Sequence, residues 1–387
     1  MLFRIDLTKP TRLAASISVV ALTVSLAACG GQQGSDQTAS SGSGGSSPAA
    51  GNNAGADKLA LKQDVQLVGA GASFPAPLYQ RWFQDFNQKH PKVQINYQSV
   101  GSGAGVEQFT KGTVDFGASD TAMKDDEIAK VGDKGVTLLP MTAGSIVLAY
   151  NLPEVTGEVK LPRQVYTDIL LGKIKNWNDP AIAKANSGVK LPDQAITVVH
   201  RSDGSGTTGV FTKHLSTISP EWKTKVGDGK TVQWPAGVGA KGNEGVTAQI
   251  QQTKGAVGYV EYGYAKNNNL KFAALENKDG KFVVPTDQSA SKTLEAVKLP
   301  DNLRAFITDP EGAEAYPIVT YTWMLVPKKV SDPEKAKAIE AMVEYGLTDG
   351  QKITGELGYV PLPKAVVEKV AAAADQISPD YKISVGQ

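Results

Sequence analysis

Three times this chain runs a short apolar strand into a Gly/Ser loop and then into a helix. The loops read Gly69-Ala70-Gly71-Ala72-Ser73-Phe74, Gly101-Ser102-Gly103-Ala104-Gly105 and Asp203-Gly204-Ser205-Gly206-Thr207-Thr208. Strands alternating with helices mean an α/β architecture, and ligands in such folds sit at the C-terminal ends of the strands. Each loop offers backbone N–H groups at a helix N-terminus, which carries about half a positive charge. Such a terminus attracts anions. One loop of this kind is a weak sign. Three of them, with Arg201 and Asp203 in the third, point to a small oxyanion held by several segments.

The flanking elements follow from periodicity. Val65 to Val68 alternates as a strand, and Val93, Ile95 and Tyr97 as a second. Between them Leu78, Tyr79, Trp82, Phe83 and Phe86 recur at helical spacing, after Pro75 and Pro77 and up to His90-Pro91. Val114 to Ala118 predicts a third strand, which delivers Ser119-Asp120 at its end. Gly144 to Tyr150 predicts a strand entering a new unit, and Ala195 to Val199 another that runs into the Arg201 loop. Gly258 to Tyr262 and Thr320 to Val326 are later strands; Ala336 to Tyr345 and Pro363 to Ala373 are closing helices. The candidate loops fall in two clusters, before about residue 140 and near residue 200, which predicts two lobes with a cleft between them.

Charge and cysteine use narrow the setting. The formal net charge is +1, and Arg4, Lys9 and Arg12 against Asp6 leave the remainder close to neutral. No global basic field exists for nucleic acid. Any anion must be drawn by local dipoles. The one Cys, Cys29, follows a basic start and the apolar run Leu13 to Ala28. That run describes a secretory signal, residues 1–28, and is shorter than the roughly 20 residues of a spanning helix. Leu26-Ala27-Ala28-Cys29 resembles the bacterial lipobox, so Cys29 is expected to carry a lipid after cleavage. Residues from Gly30 to about Ala56 hold almost no bulky apolar side chain and predict a disordered tether over 29–57. The expectation is a domain outside the cytoplasm, leashed to a membrane.

Each candidate contact has a plainer reading beside it. Ser73, Ser102, Ser205 and Thr207 sit at predicted helix starts, where Ser and Thr serve as N-caps. Arg201 can present a bidentate fork to an oxyanion, or stand as a surface cation. Asp203 can hold that guanidinium, or be an ordinary turn residue before Gly204. Asp120 is the more telling acid, because an ionised carboxylate only accepts hydrogen bonds. Facing an anion, it is tolerated only if the ligand brings a proton to share. Phosphate near neutral pH still carries one, since its relevant pKa is roughly 6–7; sulfate carries none. If Asp120 lines the pocket, the site favours phosphate and rejects sulfate.

Enzyme readings are weaker. Gly204-x-Gly206-x-x-Gly209 and Gly237-x-Gly239-x-x-Gly242 match the dinucleotide fingerprint formally. Glycine is abundant, with 40 residues, and for Gly204 no acid ends a second strand about 20 residues on. There is no G-x-x-x-x-G-K-[ST] loop, no G-x-S-x-G elbow and no H-E-x-x-H pair. His90, His200 and His214 lie near no nucleophile set, and no zinc site or cofactor is expected. Two rivals stay open: a binder of another oxyanion or of an organic phosphate, and a phosphate-ester hydrolase or adhesive surface protein using the same cradle.

Gly-Ala-Gly-Ala-Ser-Phe-Pro-Ala-Pro (69–77), Val-Asp-Phe-Gly-Ala-Ser-Asp (114–120) and Arg-Ser-Asp-Gly-Ser-Gly-Thr (201–207) resemble the phosphate-binding component of the high-affinity phosphate ABC transporter. Leu-Gly-Lys-Ile-Lys-Asn-Trp (171–177) and Gly-Tyr-Val-Glu-Tyr (258–262) extend the match, which runs from about residue 65 to the C-terminal helices. The resemblance implies a two-lobed type II periplasmic-binding-protein fold closing on dehydrated phosphate. It implies contacts from the Ser73 hydroxyl and N–H, the Phe74 N–H, Ser102, Asp120 as proton acceptor, and Arg201, Asp203, Ser205, Gly206 and Thr207. Ser73 stands where the family often has Thr, and both supply the hydroxyl. The segment around 280–316 is less familiar, and nothing is carried onto it. A monomer that is not an enzyme is expected, with a membrane permease and cytoplasmic ATPase subunits as partners. The lobes should be 58–141 with 319–387, and 142–318 between.

Overall fold

The computed structural model describes residues 58–386. The signal-like run, Cys29 and the tether lie outside them. Among the described residues no helix is long and apolar enough to cross a membrane.

The first half builds β1 (Val65–Gly71), α1 (Ala76–Lys89), β2 (Val93–Ser99), α2 (Ser102–Lys111), β3 (Phe116–Ser119) and β4 (Thr137–Tyr150). The middle adds β5 (Thr197–Arg201), α3 (Gly206–Ile218), β6 (Val238–Ala240), α4 (Gly242–Gln252), β7 (Ala256–Glu261) and α5 (Tyr262–Asn267). The chain ends with β8 (Val319–Val326), α6 (Pro333–Leu347) and α7 (Lys364–Ala374). A nine-stranded sheet orders its strands β2-β1-β3-β8-β4-β7-β5-β6, with Lys271–Phe272 paired to β4. α1 buries Leu78, Tyr79, Trp82, Phe83 and Phe86. At roughly 1.5–3 kcal/mol per large apolar side chain removed from water, that stripe fixes the helix on the sheet.

β1 pairs in parallel with β2 and β3, and β5 in parallel with β6 and β7. Two antiparallel strands, β4 and β8, join these parallel sets. Thr137 to Ser145 of β4 pairs with β8, and Ile146 to Tyr150 pairs with β7. β4 is therefore shared by both sets. The sequence predicts only its second half, from Gly144. Pro140 and Thr142 hide the first half, since Pro cannot donate to a ladder. It is accommodated where the register shifts between Thr322 and Trp323, at a bulge. The other predicted strands lie within two residues of their observed positions, except that β1 runs three residues past the predicted Val68, to Gly71.

Candidate anion-binding site

Asp120 follows β3 and is 1% exposed. Its Oδ1 accepts a hydrogen bond from Thr322 Oγ1 at 3.0 Å, and its Oδ2 one from Thr207 Oγ1 at 3.0 Å. Burial pushes its carboxyl up to about 6; the two hydroxyls and the nearby Arg201 charge pull the other way. Near neutral pH it is therefore a proton acceptor poised close to its titration point.

Arg201 ends β5 and is 4% exposed. Its Nε and Nη2 donate to the Asp203 carboxylate at 2.8 and 2.5 Å, and Nη1 reaches Thr207 Oγ1 at 3.5 Å. Burial raises the Asp203 carboxyl, but the Arg201 guanidinium outweighs it and holds the acid below the usual carboxylate range. The Gly242 N–H adds a bond to Asp203 at 3.1 Å. Asp203 thus locks the orientation of a buried cation and balances its charge.

The capping alternative separates the four hydroxyl residues. Only Ser205 caps, accepting from the Thr208 N–H of α3 at 3.0 Å. Ser73 lies two residues before Pro75, the N-cap of α1, and Pro75 makes no side-chain cap. Ser102 follows the N-cap Gly101, and Thr207 lies inside the first turn of α3. Their hydroxyls are used elsewhere. Ser102 Oγ accepts from the Asp120 N–H at 3.2 Å. Ser73 Oγ accepts from both nitrogens of Asn243 at 2.9 Å. Among the described residues no backbone acceptor meets the N–H groups of Ser73, Phe74, Gly206 or Thr207. Phe74 itself is wholly buried, with its carbonyl taking the Tyr359 hydroxyl at 2.7 Å.

The two clusters touch. The Gly103 N–H donates to Gly204 O at 2.7 Å. A Cβ on Gly206 would stand 2.4 Å from Ser102 Oγ and 2.8 Å from Asp120 N. Gly101, at φ 89°, would put one 2.3 Å from the Asp203 carboxylate. All nine candidate residues thus lie in one hydrogen-bonded neighbourhood or adjoin it directly in sequence. A cleft of about 580 Å³ reaches Asp120 past Thr121, Gly209 and Trp323. Among the described residues no group of three or more His, Cys, Asp or Glu could hold a metal ion.

Sequence reasoning missed three members. Asn243 sits in the first turn of α4, after β6, in a fourth strand–loop–helix unit whose three-residue strand is too short and exposed to show an apolar run. Tyr259 OH accepts from the Arg201 N–H at 3.0 Å and meets Thr208 Oγ1 at 2.6 Å. Thr322 looks like any strand threonine until β8 is paired beside β3.

A PBP superfamily domain model matches residues 33–349. The phosphate-binding protein PstS of Pasteurella multocida is 45% identical over 318 residues, covering 81% of this chain and 91% of that protein. PstS of Methanocaldococcus jannaschii is 44% identical over 322 residues, covering 77% and 82%. Among solved structures, a high-affinity periplasmic phosphate-binding protein (PfluDING) with bound phosphate superposes with a TM-score of 0.67 at 19% identity, over 83% of this chain and 96% of that one. That likeness shows the two-lobed type II α/β fold. With the family model spanning most of the chain and these identities covering about four-fifths of it, the chain belongs to the PBP superfamily and, within it, to the PstS phosphate-binding proteins.

Proposed function

We propose that this chain captures inorganic phosphate outside the cytoplasm and hands it to the membrane permease of an ABC transporter. The observation that carries the reading is the meeting of a buried guanidinium, the uncommitted backbone N–H groups of Ser73, Phe74 and Gly206, and a buried carboxylate at one spot. The guanidinium and the helix starts attract an anion. The carboxylate requires that anion to bring a proton.

The roles follow. Ser73, Phe74, Ser102 and Gly206 supply N–H and hydroxyl donors, Thr207 ties Asp120 to Arg201 through its hydroxyl, and Ser205 holds the first turn of α3 in place. Arg201 binds the anion, Asp203 orients Arg201, and Asp120 accepts the ligand's proton. The lobes are 58–141 with 319–387, and 142–318, and closure between them buries the ligand. Cys29 carries the lipid that keeps the protein at a membrane, with residues to 57 as tether. The domain acts as a monomer, served by permease and ATPase subunits. Family members are substrate-binding transport proteins, which supports binding rather than catalysis.

The deciding experiment is calorimetry with phosphate and sulfate near neutral pH. Tight phosphate binding with far weaker sulfate binding is expected; equal affinities refute the role of Asp120. A chromogenic phosphate ester should not turn over. Cys29→Ser should move the protein from the membrane fraction to the soluble one.

A further inference from the structure

Asn243 is fully buried and holds two of the site's hydroxyls at once. Its N–H and its Nδ2 both donate to Ser73 Oγ at 2.9 Å, and Nδ2 also reaches Thr207 Oγ1 at 3.4 Å. The amide cannot be flipped without loss, because Oδ1 accepts the Glu261 N–H at 2.9 Å. A hydroxyl has one proton and two lone pairs. Both lone pairs of Ser73 Oγ are taken, and among the described residues no hydrogen bond uses its proton. Thr207 is saturated the other way. Its proton goes to Asp120 Oδ2, and its lone pairs face Arg201 Nη1 and Asn243 Nδ2.

We infer that Asn243 is a positioning residue which commits the Ser73 hydroxyl to donating, so that the bound anion must present a bare oxygen at Ser73 and keep its proton for Asp120. This rests on the site reading above. A ligand P–OH directed at Ser73 finds no acceptor there. Asp120, whose oxygens each accept one threonine hydroxyl, retains lone pairs for it. Asn243 thereby fixes which oxygen of the ligand is protonated, without needing to touch that proton.

The test is phosphate titration of wild type, Asn243→Asp, Asn243→Ala and Arg201→Met across about pH 5 to 8, a span that brackets carboxylate and phosphate ionisation. In N243D the ionised carboxylate takes the Ser73 proton and sets a charge beside the anion. Acid restores an O–H donor in place of Nδ2. The charged groups around it are Arg201 and Asp120 through Thr207, Asp203 on the Gly242 N–H, Glu261 at its backbone, and Lys241 and Glu244 beside it. All are present in wild type, so the ratio to wild type at each pH isolates the new carboxyl. At the alkaline end N243D should bind about a hundredfold more weakly than wild type, and the gap should close about tenfold on acidification. N243A should lose about tenfold at every pH. A pH-independent N243D deficit, with R201M abolishing binding, overturns the inference and leaves the site standing. If R201M binds as wild type does, the site reading falls and this inference with it. A double-mutant cycle needs no pH series: losses from Ser73→Ala and N243A should fall well short of adding, and full additivity overturns the inference.

Discussion

Replacing Asp120 with Asn separates the two things this carboxyl does. In the ligand-free protein it is a buried acid. Its carboxyl is raised from 3.8 to about 6, so the native state binds a proton more tightly than the unfolded chain. Stability from this group is fully present below about pH 4 and is lost as pH rises through about 6, by about 3 kcal/mol. Asn carries no such charge. D120N should lose that dependence. Its amide cannot accept from both Thr207 and Thr322, which sacrifices about 1 kcal/mol. The variant should therefore be less stable than wild type near pH 4 and more stable near pH 8, by about 1–2 kcal/mol at the alkaline end. Thermal melts across that range read the crossover directly.

In the liganded protein the same substitution acts on selectivity. The shared proton is a hydrogen bond to a charged group, worth about 1.5–3 kcal/mol, so phosphate affinity should fall roughly tenfold to a hundredfold. Sulfate meets no repelled carboxylate in the variant and should gain. The phosphate-to-sulfate ratio, measured by calorimetry at pH 8, should drop by about a hundredfold or more. An unchanged ratio means that Asp120 does not read the ligand proton. A melting difference that stays constant with pH means that its carboxyl is not the buried, raised group described here.

Gly206→Ala places a methyl 2.4 Å from Ser102 Oγ and 2.8 Å from Asp120 N, so the clusters cannot meet. Phosphate affinity should fall by about a hundredfold or more, and overpacking this buried contact should cost about 1–3 kcal/mol of stability; near-native affinity would refute the close approach. Lys230→Ala removes a part-buried bridge to Glu127 at 2.7 Å, which links the 121–127 segment to the loop that follows the helix Pro220–Lys225. Its stability effect should stay below about 1 kcal/mol, with faster phosphate dissociation in stopped flow as the sign that the bridge holds the closed form. His214 is buried against Tyr166 OH at 2.7 Å, and burial lowers it from 6.5 to about 4. A depressed histidine contributes stability above about pH 6.5 that is lost as pH falls toward 4, here about 3 kcal/mol. His214→Phe should flatten the acid limb of the melting curve, and an unaltered limb would show that the ring already titrates normally.

Much of the candidate site was legible because the proposed anion binding needs backbone donors. Donors come cheaply at glycine-rich helix starts, and those are visible as Gly/Ser loops after apolar runs. Asp120 and the Arg201/Asp203 pair stood out because charge directly after an apolar strand is rare without a task. Asn243 did not stand out. Its strand, Val238–Ala240, is three residues long and largely exposed, so it leaves no hydrophobic signature. Thr322 and Tyr259 escaped for another reason. They act through pairing between strands far apart in sequence, and no local pattern encodes which strand lies next to which. The capping alternative also could not be decided from sequence, because a cap and a ligand contact call for the same residue types. The backbone at Pro75 and Gly101 decides it, by taking the N-cap positions away from Ser73 and Ser102.

Why the helix starts converge at all is a matter of strand direction. β8 runs antiparallel to both β3 and β4, so β1, β2, β3 and β4 point one way. β7 is antiparallel to β4 and parallel to β5, so β5, β6 and β7 point the other way. β4 leaves its pairing with β8 at Ser145 and takes up β7 at Ile146. Along that one strand the first set ends where the second set ends, and both ends are C-terminal. The loops after β1, β3, β5 and β6 therefore face one another across the middle of β4. The packing there agrees, since a Cβ on Gly144 would meet the Phe74 ring at 2.9 Å and Glu261 Oε1 at 3.2 Å. Had β4 paired in parallel with β7, the second set would present its N-terminal ends, and Arg201 would lie a strand's length from Asp120. The half of β4 that the sequence concealed behind Pro140 is what turns several ordinary helix starts into a single enclosure.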